Sequence, residues 1–401
     1  MASLFAAVEM APRDPILGLN EQFNADPNPA KVNLGVGVYF DANGKLPLLN
    51  CVQAAEKMMM EAPKARGYLP IDGIAAYDKV VQGLVFGADS AAVKAGRIAT
   101  VQALGGTGAL KVGADLLKRM NPGATVLISD PSWENHRALF EGAGFAVAQY
   151  PYYDAARRGI DFDAMLAALN GAAAGSIVVL HACCHNPTGY DITLAQWKQV
   201  IEAVGKRNLV PFLDMAYQGF SEGIKEDGAA VDLFMEAGLA FFVATSFSKS
   251  FSLYGERVGA LSVVCESKGE ADRVLSQLKR VIRTNYSNPP THGAQVVTLV
   301  LTTPALRAQW EEELAAMRVR IKRMREALQA KLAAAAGMKH DMSFITRQKG
   351  MFSYSGLTKA QMERLRDEFG IYGVDSGRIC VAALNDANID AVVAAIAAVV
   401  A

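Results

Sequence analysis

The stretch 176-SIVVLHACCHNPTGYDITLAQWKQVIEAVGKRNLVPFLD-214 decides the reading of the fold. It opens with the apolar run Ser176–His181 and breaks at an Asn186-Pro187 turn. It then passes through a helical segment, Leu194–Arg207, and returns to a second apolar run at Leu209–Asp214. Runs that are apolar throughout are strands covered on both faces, and a helix between two of them is the connection a parallel sheet requires. The same alternation continues outward. Apolar runs at Arg97–Leu104, Thr125–Ser129 and Phe145–Tyr150 precede the stretch, and runs at Ala240–Ser246 and Ala260–Cys265 follow it. Ala109–Met120 is a further intervening helix. The pattern predicts a doubly wound α/β domain.

The pattern changes after Pro304. Trp310, Leu314, Met317, Ile321, Met324, Leu328 and Leu332 recur at spacings of three and four, which predicts one long amphipathic helix. From about Met338 short strands and helices mix, and the N-terminal segment to about Leu46 is rich in Pro, Asn and Asp. A central large domain with a smaller domain built from both chain ends is the expected organisation.

A length of 401 residues suits two domains, and 51% hydrophobic against 20% charged residues excludes intrinsic disorder. Lys+Arg and Asp+Glu are both 40, so the surplus positive charge of a nucleic-acid protein is missing and no nucleic-acid partner is expected. The five cysteines, Cys51, Cys183, Cys184, Cys265 and Cys380, fit no disulfide ladder and read as free thiols of a cytoplasmic protein. Met1–Pro12 lacks the basic start of a signal peptide, and Ala391–Ala401 is too short to span a bilayer, so no membrane association is expected.

Four loops carry chemistry. Gly105-Gly106-Thr107-Gly108 joins a strand to a helix, where small residues and a helix N-terminus can receive an anion; alone, it is equally a tight turn. Ser246-Phe247-Ser248-Lys249 follows a strand, which makes Lys249 a candidate Schiff-base nucleophile with Arg257 placed to hold a phosphate. Asp214-Met215-Ala216-Tyr217 ends another strand and offers an acid for a protonated ring nitrogen and a phenol for a phenolate oxygen. His185-Asn186-Pro187-Thr188-Gly189 holds Asn186 extended with its amide available. His181, His185 and the cysteine pair have no second cluster at ligand spacing, so no metal site is expected.

Taken together these motifs resemble the class I, fold-type I pyridoxal-phosphate aminotransferases, in the aspartate/aromatic branch. The resemblance spans almost the whole chain. It includes Asp14-Pro15-Ile16-Leu17, Val32 to Gly37, Gly106 to Leu110, Trp133-Glu134-Asn135-His136, His181 to Gly189, Asp214 to Phe220, Ser246 to Lys249, Tyr254 to Gly259, Asn285 to Pro290 and Ser376-Gly377-Arg378. It implies a mostly parallel seven-stranded sheet sandwiched by helices in a large cofactor domain (47–315), a smaller α+β domain (13–46 and 316–401) and an N-terminal arm (1–12). It implies pyridoxal 5'-phosphate as cofactor, held as an aldimine by Lys249, which also moves the proton. Asp214 would pair with the pyridinium nitrogen, supported by His136. Tyr217 and Asn186 would bind the ring hydroxyl oxygen, and Trp133 would stack on the ring. Gly106, Thr107, Ser246, Ser248 and Arg257 would hold the phosphate, with Tyr68 from a second subunit. Arg378 would clamp the substrate α-carboxylate, with Gly37 on the segment closing over it. Arg283 of the neighbour would meet a distal carboxylate, so the resemblance implies a homodimer with shared sites.

The implied reaction is ping-pong transamination of amino acids with 2-oxo acids, usually 2-oxoglutarate. Keeping both Arg283 and Arg378 favours transamination over a lyase or decarboxylase on the same fold. Phe40 and Leu46 stand where aspartate-specific relatives often have Lys and Thr, which makes the rim more apolar. Ser250 to Arg257 and Cys380 to Asn385 are also closer to the aromatic type, whereas Asn288 and Thr107 look like the aspartate type and Gly67 matches neither. The expected substrates are tyrosine and phenylalanine together with aspartate and glutamate; the alternative is an aspartate aminotransferase proper.

Overall fold

The seven apolar runs pair into one sheet. The computed structural model describes residues 3–335 and 340–400. In chain order the strands are β1 (Ile98–Leu104), β2 (Thr125–Asp130), β3 (Ala146–Pro151), β4 (Ile177–His181), β5 (Val210–Met215), β6 (Phe241–Ser246) and β7 (Val258–Val264). Across the sheet they lie in the order β1-β7-β6-β5-β4-β2-β3. Every pairing is parallel except those of β7, which runs antiparallel to both β1 and β6. Alternate side chains of one strand enter different cores. Ile177 and Val179 join Val126, Phe212 and Leu261, whereas Val178 and Leu180 join Leu213 and Val243. Burial on both faces is what removes the polar alternation from these runs.

Four helices matter for the site. α1 (Gly105–Met120) starts where β1 ends, four residues earlier than the sequence pattern placed it. Gly105, at φ +69, makes this abrupt junction possible, so the small residues form the first helical turn rather than a separate loop. α2 (Leu194–Arg207) opens on a Thr193/Gln196 capping box and closes at Asn208, which takes the left-handed conformation. α3 (Lys268–Asn285) packs beside α1, and its Leu278, Val281 and Ile282 enter the same core as Leu110 and Leu117. α4 (Pro304–Ala334) has proline at its start, and all seven periodic residues from Trp310 to Leu332 are buried.

The chain ends meet. Val32–Asn33 pairs in parallel with Ile371–Tyr372, and Phe352–Tyr354 pairs antiparallel with Arg378–Cys380. The amide of Cys380 donates to the carbonyl of Leu34 at 2.8 Å, tying the two ladders together. The change of character at Met338 lies outside the described residues. No described helix is long and apolar enough to cross a membrane.

Candidate active site

Strands β1 to β6 all run the same way, so their carboxyl ends share one edge of the sheet, and antiparallel β7 begins there. That edge is where ligands bind in open α/β sheets, because the loops diverge there and leave backbone groups free. A cavity of about 490 Å³ lies on it. Gly106 and Thr107 follow β1, Trp133 follows β2, and His181 and Asn186 follow or end β4. Asp214 and Tyr217 come from β5, Ser246, Ser248 and Lys249 from β6, and Arg257 precedes β7. Gly37, Val38, Phe352, Arg378 and the segment Asp14–Leu17 close the opposite side.

Asp214 is buried at the end of β5. His136 Nε2 lies 2.9 Å from its Oδ2, and Ser132 Oγ lies 2.9 Å from the other ring nitrogen of His136. Burial pushes the carboxyl pKa up, but the His136 hydrogen bond and the Lys249 ammonium outweigh it and hold Asp214 below the ordinary carboxylate value. His181 beside it carries no charge at neutral pH, since burial drops its pKa to about 3. Its Nε2 is buried without a partner. The Asp214 oxygen not bound by His136 makes no hydrogen bond among the described residues, so a cation or N–H in the cavity has an acceptor waiting.

Lys249 faces Asp214 across the cavity and sits 4.9 Å from the Tyr217 ring centroid. Burial lowers its pKa to about 8; Asp214 works against this, and Arg257 and Arg378 add to it. An amine with its pKa lowered this far gives up its proton more readily than an ordinary lysine, the chemistry a nucleophile or base requires. Burial raises the Tyr217 hydroxyl well above its ordinary value, so it stays a hydrogen-bond donor.

This lysine makes a stability prediction. Below pH 8 the amine is protonated in both folded and unfolded chains, and the full cost of burying the ammonium is present. Between about 8 and the ordinary 10.5 only the unfolded chain keeps the proton, so stability rises with pH. Relative to Lys249→Met, the chain free of small molecules should gain up to about 3 kcal/mol over that window. Denaturant unfolding of both proteins across it measures the gain; parallel pH profiles would contradict it.

The anion end is built from small residues and one arginine. Ser246 Oγ and Ser248 Oγ are 3.2 Å apart, and Arg257 Nη1 is 3.5 Å from Ser248 Oγ. A Cβ on Gly105 would fall 2.6 Å from Arg257 Nη2, and one on Gly259 would fall 2.5 Å from the Gly105 backbone. Glycine at both places lets the β1–α1 junction, β7 and the guanidinium crowd together. At the other end Arg378 is buried without a carboxylate partner among the described residues. It donates to Asn186 Oδ1 at 3.0 Å and to the Gly35 carbonyl at 2.7 Å, and its Nε has no partner. A buried guanidinium so placed has donor capacity left for a carboxylate.

Most of the expected site residues meet in this cavity; three, Tyr68, Arg283 and His136, do not line it. Tyr68 is 95% exposed, and Arg283 is exposed with its guanidinium on Ser287 Oγ; neither lines the cavity. His136 stands behind Asp214 rather than on the wall. Phe40 and Leu46 also lie off the wall, Phe40 packed against the core and Leu46 half exposed. His185 bonds Ser129 and Thr188 and stacks on Tyr152 at 4.0 Å. Cys183 and Cys184 gather with Asp227, a group separate from that of His136, His181 and Asp214, and the Asp227 carboxylate already accepts from three backbone amides. Sequence reasoning missed Phe352, Val38 and the partnership of Ser132 with His136. Phe352 sits in an ordinary alternating run, and only its place opposite Arg378 gives it a role.

The sequence model of the family "Aminotransferase class I and II" matches residues 29–396. The chain is 66% identical over 394 residues to an aspartate aminotransferase of Pseudomonas aeruginosa, covering 98% of this chain and 99% of that protein. It is 51% identical over 397 residues to the aromatic-amino-acid aminotransferase of Escherichia coli, covering 99% and 100%. The crystal structure of an aromatic-amino-acid aminotransferase from Burkholderia pseudomallei, covalently bound to pyridoxal phosphate, superimposes with a TM-score of 0.97 at 66% identity and full coverage of both chains.

Proposed function

The chain belongs to the class I and II aminotransferases, and on that premise we propose that it transfers amino groups, with pyridoxal 5'-phosphate, from tyrosine, phenylalanine and aspartate to 2-oxoglutarate, and from the resulting glutamate back to the matching 2-oxo acids. The observation that carries this reading is the placement of Lys249, Asp214 and Arg378 on one cavity wall system, a base, an anion and a carboxylate receptor facing a common space.

The residues fit the cofactor. Ser246, Ser248, Arg257 and the N-terminus of α1 offer an anion cradle, where a Cβ on Gly105 would collide with the Arg257 guanidinium. The free oxygen of Asp214 suits a pyridinium N–H, Trp133 offers a ring face, and Asn186 and Tyr217 offer groups for the ring oxygen. Bound there, the cofactor supplies an electron sink for the charge left when the substrate loses its Cα proton. The protein does the rest. Arg378 binds the α-carboxylate and fixes which substituent on Cα faces the ring. Lys249, as neutral amine, takes the Cα proton and holds it as an ammonium until it is returned. Asp214 stays ionised so that the ring nitrogen keeps its proton, and His136 keeps Asp214 aimed.

Tyr68 and Arg283 support a homodimer in this reading. Both are exposed and lie off the wall of their own cavity, and in a two-fold pair Tyr68 would reach the partner's phosphate cradle and Arg283 the distal carboxylate of a dicarboxylic substrate. The division into a cofactor domain (47–315), a smaller domain (13–46 and 316–401) and an arm (1–12) is consistent with the pairing of the chain ends. Its second boundary falls inside continuous helix α4. Five free cysteines support a cytoplasmic location.

A second reading, aspartate aminotransferase proper, has its own support in the name of the Pseudomonas aeruginosa relative and in the position of Phe40 and Leu46 off the cavity wall. Measured kcat/KM for phenylalanine, tyrosine and aspartate with 2-oxoglutarate separates the two. Comparable values are expected; aspartate preferred about a hundredfold over both aromatics would select the second reading. Arg283→Leu should lower kcat/KM for aspartate about a hundredfold, the scale of losing one partner of a desolvated charge pair, while phenylalanine changes a few-fold. Equal losses for both substrates would remove Arg283 from side-chain recognition.

A further inference from the structure

Helix α4 carries a buried arginine that the reaction does not account for. Arg325 is 4% exposed and has no carboxylate partner among the described residues. Its guanidinium instead donates to three backbone carbonyls, Gly350 at 2.7 Å, Phe352 at 2.8 Å and Ile345 at 3.3 Å. A buried cation is costly, and an apolar residue would fill the same space without that cost. What the arginine does that an apolar residue cannot is hold one short loop, 345–352, at three points.

That loop ends on the wall of the cavity. The Phe352 ring lies 4.3 Å from the Arg378 guanidinium, edge-on to Tyr217 at 5.8 Å, and its Cζ would be 2.9 Å from a Cβ on Gly37. The loop also leans on the segment bearing Asn186. The Lys349 amide donates to the Gly189 carbonyl at 2.6 Å, and a Cβ on Gly350 would fall 2.6 Å from Cys184 Cβ. Asn186 in turn accepts from Arg378. The backbone of Phe352 is therefore pinned from behind by Arg325, while its ring and the neighbouring segment bracket Arg378 from in front.

We propose that Arg325 is a positioning residue for carboxylate recognition: by holding the carbonyls of Gly350 and Phe352 it fixes the Phe352 ring against Arg378 and so sets the guanidinium's orientation toward an amino-acid carboxylate. The inference rests on the functional reading above. It predicts that the two residues act as one unit, so that their effects on carboxylate affinity are not additive.

The test uses the holoenzyme and an unreactive carboxylate, 3-phenylpropionate, titrated by calorimetry. Arg325→Met should weaken its binding about tenfold, within the range of contact-pair coupling. Cofactor affinity should stay within about twofold, because the phosphate cradle is built on other elements. Arg325→Lys, whose ammonium reaches fewer carbonyls, should lie between and serves where the methionine variant folds poorly. In a Phe352→Leu background the Arg325 substitutions should change affinity less than about twofold. A drop in thermal midpoint with unchanged 3-phenylpropionate affinity would reduce Arg325 to a structural role and overturn the proposal, as would full additivity with Phe352→Leu. Wild-type protein that binds the cofactor but neither 3-phenylpropionate nor an amino acid would instead overturn the functional reading, and this inference with it.

Discussion

Lys249→Ala is expected to lower transamination by about 10,000-fold or more while leaving the fold in place. The size follows from two losses. The substitution removes the only lysine among the described residues on the cavity wall, and with it the amine that in the proposed reaction would attach the cofactor covalently. In that reaction it also removes the base for the Cα proton, a contribution on the order of 100- to 10,000-fold by itself. The fold should survive because the amine is an electrostatic burden at neutral pH: burial has already pulled its pKa to about 8. Borohydride reduction followed by peptide mass mapping gives a readout independent of turnover. The wild-type peptide containing Lys249 should gain the mass of the reduced cofactor, and the variant should gain none. Attachment at another lysine, or catalysis persisting in the variant, would show that the site has been misassigned.

Asp214→Asn should lower the rate of the half-reaction with amino acid about a thousandfold at constant fold. The side chain keeps its shape and its place beside His136, so packing changes little. What disappears is a negative charge held below the ordinary carboxylate range in a buried setting by His136 and Lys249. Without it, a protonated ring nitrogen in the cavity would face a neutral amide, and the electron sink would weaken. At ordinary pH the effect should be on kcat, with KM changing less, because the substitution leaves Arg378, the proposed carboxylate receptor, held by Asn186 and Gly35. Asp214→Glu keeps the charge and displaces it, and should fall between. A small effect of Asp214→Asn alongside a large effect of His136→Ala would transfer the role to the histidine.

Much of this site was legible before any coordinates. The seven strands were marked by apolar runs, and each observed strand lies within two residues of its run. For the strands buried on both faces such runs are a local consequence of that burial, so local reading suffices, whereas edge strand β3 is largely exposed. The loops bearing Gly106, Asn186, Asp214 and Lys249 follow strands in the sequence, and in a parallel sheet that places them on one edge without further information. The start of α1 was read four residues late, because glycines signal a loop in sequence but here form the first turn of the helix. The resemblance to a known family added the roles, which residue types alone left open. Phe352 and Arg325 carried no sequence signal. An arginine inside an amphipathic helix reads as solvated, and only the chain passing over it supplies the three carbonyls that its buried guanidinium holds.

The sequence by itself determined the alternation of strand and helix, the long helix after Pro304, and the kinds of chemistry each loop could bring. These follow from residue type and spacing, which the chain carries along its length. Tertiary structure alone decided the state of those groups. Lys249 has a pKa near 8 because protein surrounds it, Asp214 stays ionised because His136 and Lys249 face it, and Arg378 waits without a carboxylate because Asn186 and Gly35 hold it. It also decided that Tyr68 and Arg283 are exposed and lie off the wall of their own cavity. Charge, hydrogen bonding and exposure are set by neighbours in space, and neighbours in space are what a linear text does not contain.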